Sequence, residues 1–508
     1  MELRLKYGEG MAQAEFPDFF STKIKEKSGR FSGLERWGLL RRSSLPAGLQ
    51  AERQLVELHP KHIATLQKPE DILNQALDKP LGCHPFNRVF RSARNVLIVM
   101  PDPAEATGAE HYLPRLRERL NSLHVPDEEI RILVAKRAEA LMPQNISAPP
   151  LSDFVDKKVR VFWHDPADHK ALEYVGLTRR GTPVFVNRLL LEADCVLICG
   201  TVTHHPFAGY GGGPRLIVPG CAGEETIHRH FSQAIDTEGP EEGRMPNVHA
   251  RCRDGVIEGN PLQEDSREAF RCVTTNFLLH TVLNDQRQIV GAVAGEPLQA
   301  FAAGCKALDN MFAAPVALRS SFSLLTREAG AHLVMVGCGG APNDRDFRAA
   351  YAALHRAAQI TQPGGVIIFV AECRDGLGAP ALSQFLQAGA RGELEKEIGE
   401  NLISPVHRVT HFPARHAGHL LHRWFYQNEI EALIALSLPP TAAAQRVIAV
   451  TALQPELSKR LGFIPAPTLS EALVLAKTYL PDFARLGRAD RFSAILISNG
   501  TLLVPYLN

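Results

Sequence analysis

No apolar run in the 508-residue chain reaches the roughly 18 residues that a membrane-crossing helix needs, so no membrane partner is expected. The N-terminal MELRLKYGEG alternates charged and apolar residues and lacks the continuous apolar core of a signal peptide; it reads as a first strand. Neither sign of charge is in surplus. Lys and Arg number 56 against 55 Asp and Glu, whereas a nucleic-acid binder usually carries a clear basic excess, so no nucleic-acid partner is expected either. No CxxC pair occurs among the nine scattered cysteines, which argues against a disulfide framework or a structural zinc site and fits a reducing, cytoplasmic setting. Hydrophobic residues at 45% and charged residues at 22% exclude a chain disordered throughout.

Strand-length apolar runs recur instead. They lie at Asn95–Pro101, Ile130–Ala135, Val159–Trp163, Cys195–Val202, Leu333–Cys338, Val366–Ala371, Arg446–Val450 and Ile495–Asn499. Continuous runs of this kind, separated by helix-like stretches, mark sheets covered on both faces, the α/β class. Cys195 and Cys199 read as core filler, since a free thiol packs as a small hydrophobe. Thr468 and Glu471, ahead of an apolar-periodic stretch, predict a capped helix start. At about 150 residues per domain, the length allows roughly two to four domains. Turn-rich Glu238–Gly243 and Asp254–Pro261, followed by apolar character from Ala269, place a boundary between residues 275 and 276, giving domains 1–275 and 276–508.

The densest chemistry runs from Thr201 to His230, TVTHHPFAGYGGGPRLIVPGCAGEETIHRH. It starts at the end of an apolar strand, where open α/β sheets place their ligands. His204 and His205 come first, then four glycines within Gly209–Gly213, which permit positive φ and close backbone approach. A helix carrying His228 and His230 follows near Thr226. A glycine cluster alone is equally a tight strand-to-helix connection, and paired histidines are equally loop residues. Their coincidence after one strand favours function, since imidazole suits both acid/base work near neutral pH and nickel, copper or zinc ligation.

This segment resembles the LarA family of nickel-pincer lactate racemases, whose signature is of the type PH-F-AGFSGGRK-PG-TI-NH. Further stretches extend the resemblance over nearly the whole chain: Gly176–Gly200, Gly259–Asp265, Ala292–Pro297, Gly337–Asp346 and Gln362–Gly378. The resemblance implies two α/β domains with mostly parallel sheets and the site in the cleft between them. It implies a pyridinium mononucleotide that carries nickel through one carbon and two sulfurs, made by dedicated biosynthesis enzymes, with a protein histidine as the remaining ligand. His205 falls at the family's catalytic acid/base histidine and His230 at its nickel ligand. Gly211, Gly212, Gly213 and Asp102 fall at cofactor-binding positions. Such a cofactor answers a chemical difficulty: the C–H beside a carboxylate is too weak an acid to lose a proton, but it can be lost as hydride while a base takes the hydroxyl proton.

Four departures set this chain apart. The family's tethering lysine becomes Arg215, whose guanidinium is a poor nucleophile, so the nucleotide is expected to bind without a covalent bond. The D-x-T-R motif becomes Asp102–Glu105, with Glu105 at the arginine. The ATG-x-HR motif of the second catalytic histidine becomes VAKRAEAL at Val134–Leu141, with Glu139 nearest that histidine and Lys136 and His164 as further candidates for the partner base. The YQ-x-x-K group becomes Arg348-Ala349 and Ala352. The reading is therefore a divergent nickel-pincer racemase or epimerase of a 2-hydroxy acid or related hydroxyl compound, with the departures counting against lactate itself. Two alternatives stay open: a LarA-like cofactor-binding or storage protein without racemase activity, and an ordinary dinucleotide-dependent oxidoreductase, although GYGGGP does not match G-x-G-x-x-G.

Overall fold

The computed structural model describes residues 2–15, 55–60, 63, 67–103, 105, 107–136, 150–236, 247–316, 330–380, 382, 429–480 and 492–507. Two six-stranded sheets organise them. The first runs, in spatial order, Ile289–Gly295, Phe277–Leu283, Cys195–Thr201, Val96–Met100, Ile130–Val134 and Arg160–Trp163. Only the first of these pairs antiparallel with its neighbour. The second runs Ile464–Ala466, Arg446–Val450, Thr361–Val370, Ala331–Gly337, Ala494–Ile497 and Leu55–Leu58, parallel throughout.

Each of the apolar runs read from the sequence forms one of these strands, and the reason is visible in Val96–Met100. Leu97 and Val99 enter one core while Val96, Ile98 and Met100 enter another, so both faces of the strand are covered. Cys195 and Cys199 are buried in the second of those cores. Thr468 caps the helix Leu469–Tyr479 by accepting the Glu471 N–H at 3.2 Å. No helix among the described residues is long and apolar enough to cross a membrane.

Sheet membership does not change at residue 275. Phe277–Leu283 and Ile289–Gly295 complete the first sheet, and Leu55–Leu58 pairs beside Ala494–Ile497 in the second. The N-terminal hairpin, Glu2–Tyr7 with Gly10–Glu15, likewise sends Leu3 and Leu5 into the core of Leu333 and Met335. Sheet membership is a matter of long-range backbone hydrogen bonding, to which local composition is blind. Glu238–Gly243 lies outside the described residues.

The two sheets share one continuous core on their facing sides, containing Leu97 and Ile198 from the first and Val334 and Ile367 from the second. At its edge the central strand Cys195–Thr201 runs into a short hairpin, Thr203–His205 paired with Gly209–Gly211. That hairpin delivers the glycine segment to the junction between the sheets.

Candidate functional site

A cavity of about 270 Å³ opens at the C-terminal end of Cys195–Thr201. One wall comes from His204, His205, Gly211, Gly212 and Arg215, and the facing wall from Asn343, Ala349, Ala352 and Arg356; Glu105 and Lys136 also border it. This is the crevice outside the strand ends where an α/β sheet binds ligands.

The glycines are required by packing. Gly212 sits at φ +82°, and a Cβ there would lie 2.5 Å from the Thr201 carbonyl oxygen and 2.9 Å from His280 Cε1. Gly213, at φ +55°, would put a Cβ 2.5 Å from the Phe301 ring, and its N–H donates to His280 Nε2 at 3.3 Å. Gly211 and Gly212 border the cavity, whereas Gly213 is buried against Phe301. His280 was not anticipated. Its only trace in the sequence is a lone histidine within the apolar FLLHTVL, and burial pushes its pKa down to about 3, so it is neutral.

The two adjacent histidines are held in opposite ways. His205 Nδ1 accepts the N–H groups of Phe207 (3.1 Å) and Ala208 (2.8 Å), so its neutral ring carries its hydrogen on Nε2. Burial pulls its pKa down to about 4. His204 is held by a side chain instead: Nε2 donates to Asp309 Oδ1 at 2.9 Å, and the Tyr210 hydroxyl donates to Asp309 Oδ2 at 2.6 Å. Asp309 lies on the helix Pro297–Phe312.

His230 is fully buried on the helix Glu224–Ser232. Its Nδ1 donates to Asp265 Oδ2 at 2.8 Å, and Asp265 also accepts the Thr178 (2.7 Å) and Thr182 (3.1 Å) hydroxyls. Accepting the Nδ1 hydrogen, Asp265 fixes the His230 tautomer and leaves its lone pair on Nε2. Desolvation outweighs the Asp265 interaction and lowers the His230 pKa, so the ring stays neutral. Arg215 NH1 donates to that lone pair at 3.4 Å. Burial lowers the guanidinium to about 9, which leaves it mainly cationic at neutral pH.

Comparison with known proteins decides the family. Residues 40–243 match the model of the lactate racemase N-terminal domain, and residues 326–425 that of the lactate racemase C-terminal domain. The chain belongs to the LarA family. Lactate racemase from Thermoanaerobacterium thermosaccharolyticum is 28% identical over 313 residues, covering 61% of this chain and 67% of that one. Lactate racemase from Lactiplantibacillus plantarum is 26% identical over 309 residues, with the same coverage. The fold matches the solved apoprotein of the Thermoanaerobacterium enzyme with a TM-score of 0.71 at 21% identity over the whole of both chains.

LarA membership implies a nickel-pincer nucleotide, and the donor set fits one. A nucleotide of that class would be held by a neutral imidazole with an anchored tautomer, the kind of protein ligand that suits nickel. His230 has that form, although Arg215 holds its Nε2 and stands between it and the cavity.

Other expected LarA positions fall out differently. Glu139 lies outside the described residues, but its neighbour Lys136 borders the cavity. Glu105 faces the cavity, while Asp102 does not border it and gives its carbonyl to the Glu105 N–H at 2.8 Å. His164 is not a cavity residue: Nε2 donates to the Ala222 carbonyl at 2.9 Å and Nδ1 accepts from Asn187 at 3.1 Å, so it serves as a buried tie. Arg348 turns away to Glu431 at 2.8 Å, leaving Ala349 and Ala352 on the wall. Asp265, Asp309 and the pair Asp254–Arg356 were missed, because nothing local marks a carboxylate whose partner lies 35 to 105 residues away.

Proposed function

We propose that this LarA-family chain is a racemase or epimerase of a 2-hydroxy acid or related hydroxyl compound. It works with a nickel-pincer nucleotide that is supplied by biosynthesis enzymes and bound without a covalent link. The observation that carries this reading is His230, a neutral buried imidazole whose Nδ1–H is fixed by Asp265 and whose Nε2 lone pair points toward the cavity's Arg215. Bound there, a cofactor of this class accepts and returns a hydride. Arg215 must swing off Nε2 for loading, and its planar donor fork then suits a phosphate or sulfur-bearing arm. His205, held with Nε2–H, donates a hydrogen bond to the substrate oxygen. Glu105, Ala349 and Ala352 replace the family's arginine and polar contacts, which argues against lactate itself.

The same two alanines favour a second reading, a nucleotide carrier without turnover, since they offer a substrate no polar contact. The test is co-expression with the cofactor-building enzymes. Elemental analysis should return about one nickel per chain, the denatured mass should equal that of the bare polypeptide, and chiral chromatography should show inversion of at least one enantiopure 2-hydroxy acid. His205→Ala should keep nickel and lose a factor on the order of 10² to 10⁴ in turnover. A chain free of nickel overturns both readings, a mass increase of one nucleotide overturns non-covalent binding, and full nickel without inversion selects the carrier.

A further inference from the structure

A symmetric inversion needs a group that takes up the hydroxyl proton, and His205 is not built to be that group. With two backbone N–H donors on Nδ1, its neutral ring has no lone pair left at Nε2. His164 has both nitrogens engaged. We propose that His204, oriented by Asp309, is the proton-accepting catalytic base of this site.

Three observations carry this. His204 borders the same cavity as His205 and Arg215, although only 4% of its side chain is exposed to solvent. Its Nε2–H is taken by the Asp309 carboxylate at 2.9 Å, so the neutral ring keeps its lone pair on Nδ1, which has no hydrogen-bond partner among the described residues. Asp309 is itself held by the Tyr210 hydroxyl at 2.6 Å, directly across the hairpin, because His204 and Tyr210 are register partners. A carboxylate on one ring nitrogen with the other left open is the arrangement that fixes a base's tautomer and stabilises the imidazolium it becomes. The LarA signature has proline immediately before the histidine at 205. This chain therefore places a histidine at a position where the family pattern has no titratable group, and it lacks the family's second histidine at Val134–Leu141.

The proposal rests on the functional reading above. In that reaction the hydroxyl O–H bond breaks and its proton moves to His204 Nδ1. The C–H hydrogen would leave with its electron pair as hydride, for which the family's cofactor would supply the acceptor, and the carbon–oxygen bond would become a carbonyl. Return of the hydride to the opposite face and of the proton from Nδ1 to oxygen restores the alcohol. His205 Nε2–H polarises the carbonyl in both directions. Asp309 and Tyr210 touch neither substrate nor cofactor and are positioning residues.

The test uses the nickel-loaded protein, the same panel of enantiopure 2-hydroxy acids, and His204→Gln and Asp309→Asn. His204→Gln should retain nickel and KM and lose a factor on the order of 10² to 10⁴ in kcat, with part of the loss restored by added imidazole. Asp309→Asn should lose less and gain nothing from imidazole, since its base is present but misoriented. Long-range ¹H–¹⁵N spectra of the protein without substrate should show one histidine, absent in His204→Gln, with hydrogen on Nε2 and an open Nδ1; Asp309→Asn should disturb that pattern. Turnover of His204→Gln within threefold of the parent overturns the proposal. If the loaded parent inverts nothing on the panel, the functional reading falls, and the spectra alone decide the dyad: hydrogen on Nδ1 overturns it, whereas an open Nδ1 keeps His204 as a proton acceptor for another substrate.

Discussion

The two walls of the cavity answer to different constraints. The wall from His204 to Arg215 is made of backbone as much as of side chains: Gly212 and Gly213 are pressed against Thr201, His280 and Phe301, and His205 is clamped by two peptide N–H groups. Any change there disturbs packing before it disturbs chemistry. The facing wall presents side-chain tips, Ala349 and Ala352 on the helix Phe347–Ile360, and Glu105 and Lys136, which follow strands of the first sheet, also border the cavity. A tip can be exchanged without moving the element that carries it. The signature's histidine and glycines, His205 and Gly211–Gly213, lie on or just behind the first wall, where only the side chains His204 and Arg215 depart from it; on the facing side Ala349 and Ala352 replace its polar group, while Arg356 stands as an exception tied into the fold.

The largest effect expected is just behind the first wall, where Arg215 covers His230. His230→Ala should reduce nickel from about one per chain to near zero while circular dichroism stays native, because Asp265 keeps two threonine donors. Full nickel content in that variant would break the comparison at its centre.

Arg356 tests the exception. Its guanidinium pairs with buried Asp254 at 2.7 Å and donates to the Gly500 (2.9 Å) and Thr501 (2.6 Å) carbonyls. Arg356→Leu leaves that carboxylate buried without its cation and should cost about 3–5 kcal/mol in urea unfolding. A cost under about 1 kcal/mol would make Arg356 a replaceable tip like its neighbours.

Acid should act on the buried rings at and behind the walls, His205, His280 on the strand Phe277–Leu283 and His355 on the helix Phe347–Ile360. Burial lowers His205 to about 4, His280 to about 3 and His355 to about 4, against an ordinary value of 6.5. Between 6.5 and those values the unfolded chain binds more protons than the folded one, so stability is full above pH 6.5 and declines as pH falls. Between pH 6.5 and 5 each group should remove up to about 2 kcal/mol, read as a falling urea midpoint. A midpoint that does not move over that range would mean these rings are not buried neutral.

The smallest stability effect belongs to the rewritten wall. Glu105→Gln should change unfolding free energy by less than about 0.5 kcal/mol and yet reorder the rates across the hydroxy-acid panel. A loss above about 2 kcal/mol would show that this wall is as constrained as the other.

Much of this was legible in the chain itself. Recurrent short apolar runs such as Val96–Met100 read as strands covered on both faces, the Thr468–Glu471 spacing marks a helix start, and the glycine segment after Cys195–Thr201 marks the candidate site, because these are local consequences of pleat, cap and missing Cβ. What only the tertiary structure decided is pairing over distance. Leu55–Leu58 joins the second sheet, His230 meets Asp265, His204 meets Asp309, and His164 is turned into a buried tie. A histidine's chemistry depends on which of its nitrogens is occupied and how deeply the ring is buried. Both are set by residues far along the chain, so identical side chains at 204 and 205 become opposite instruments only once the fold brings Asp309 to one and two peptide N–H groups to the other.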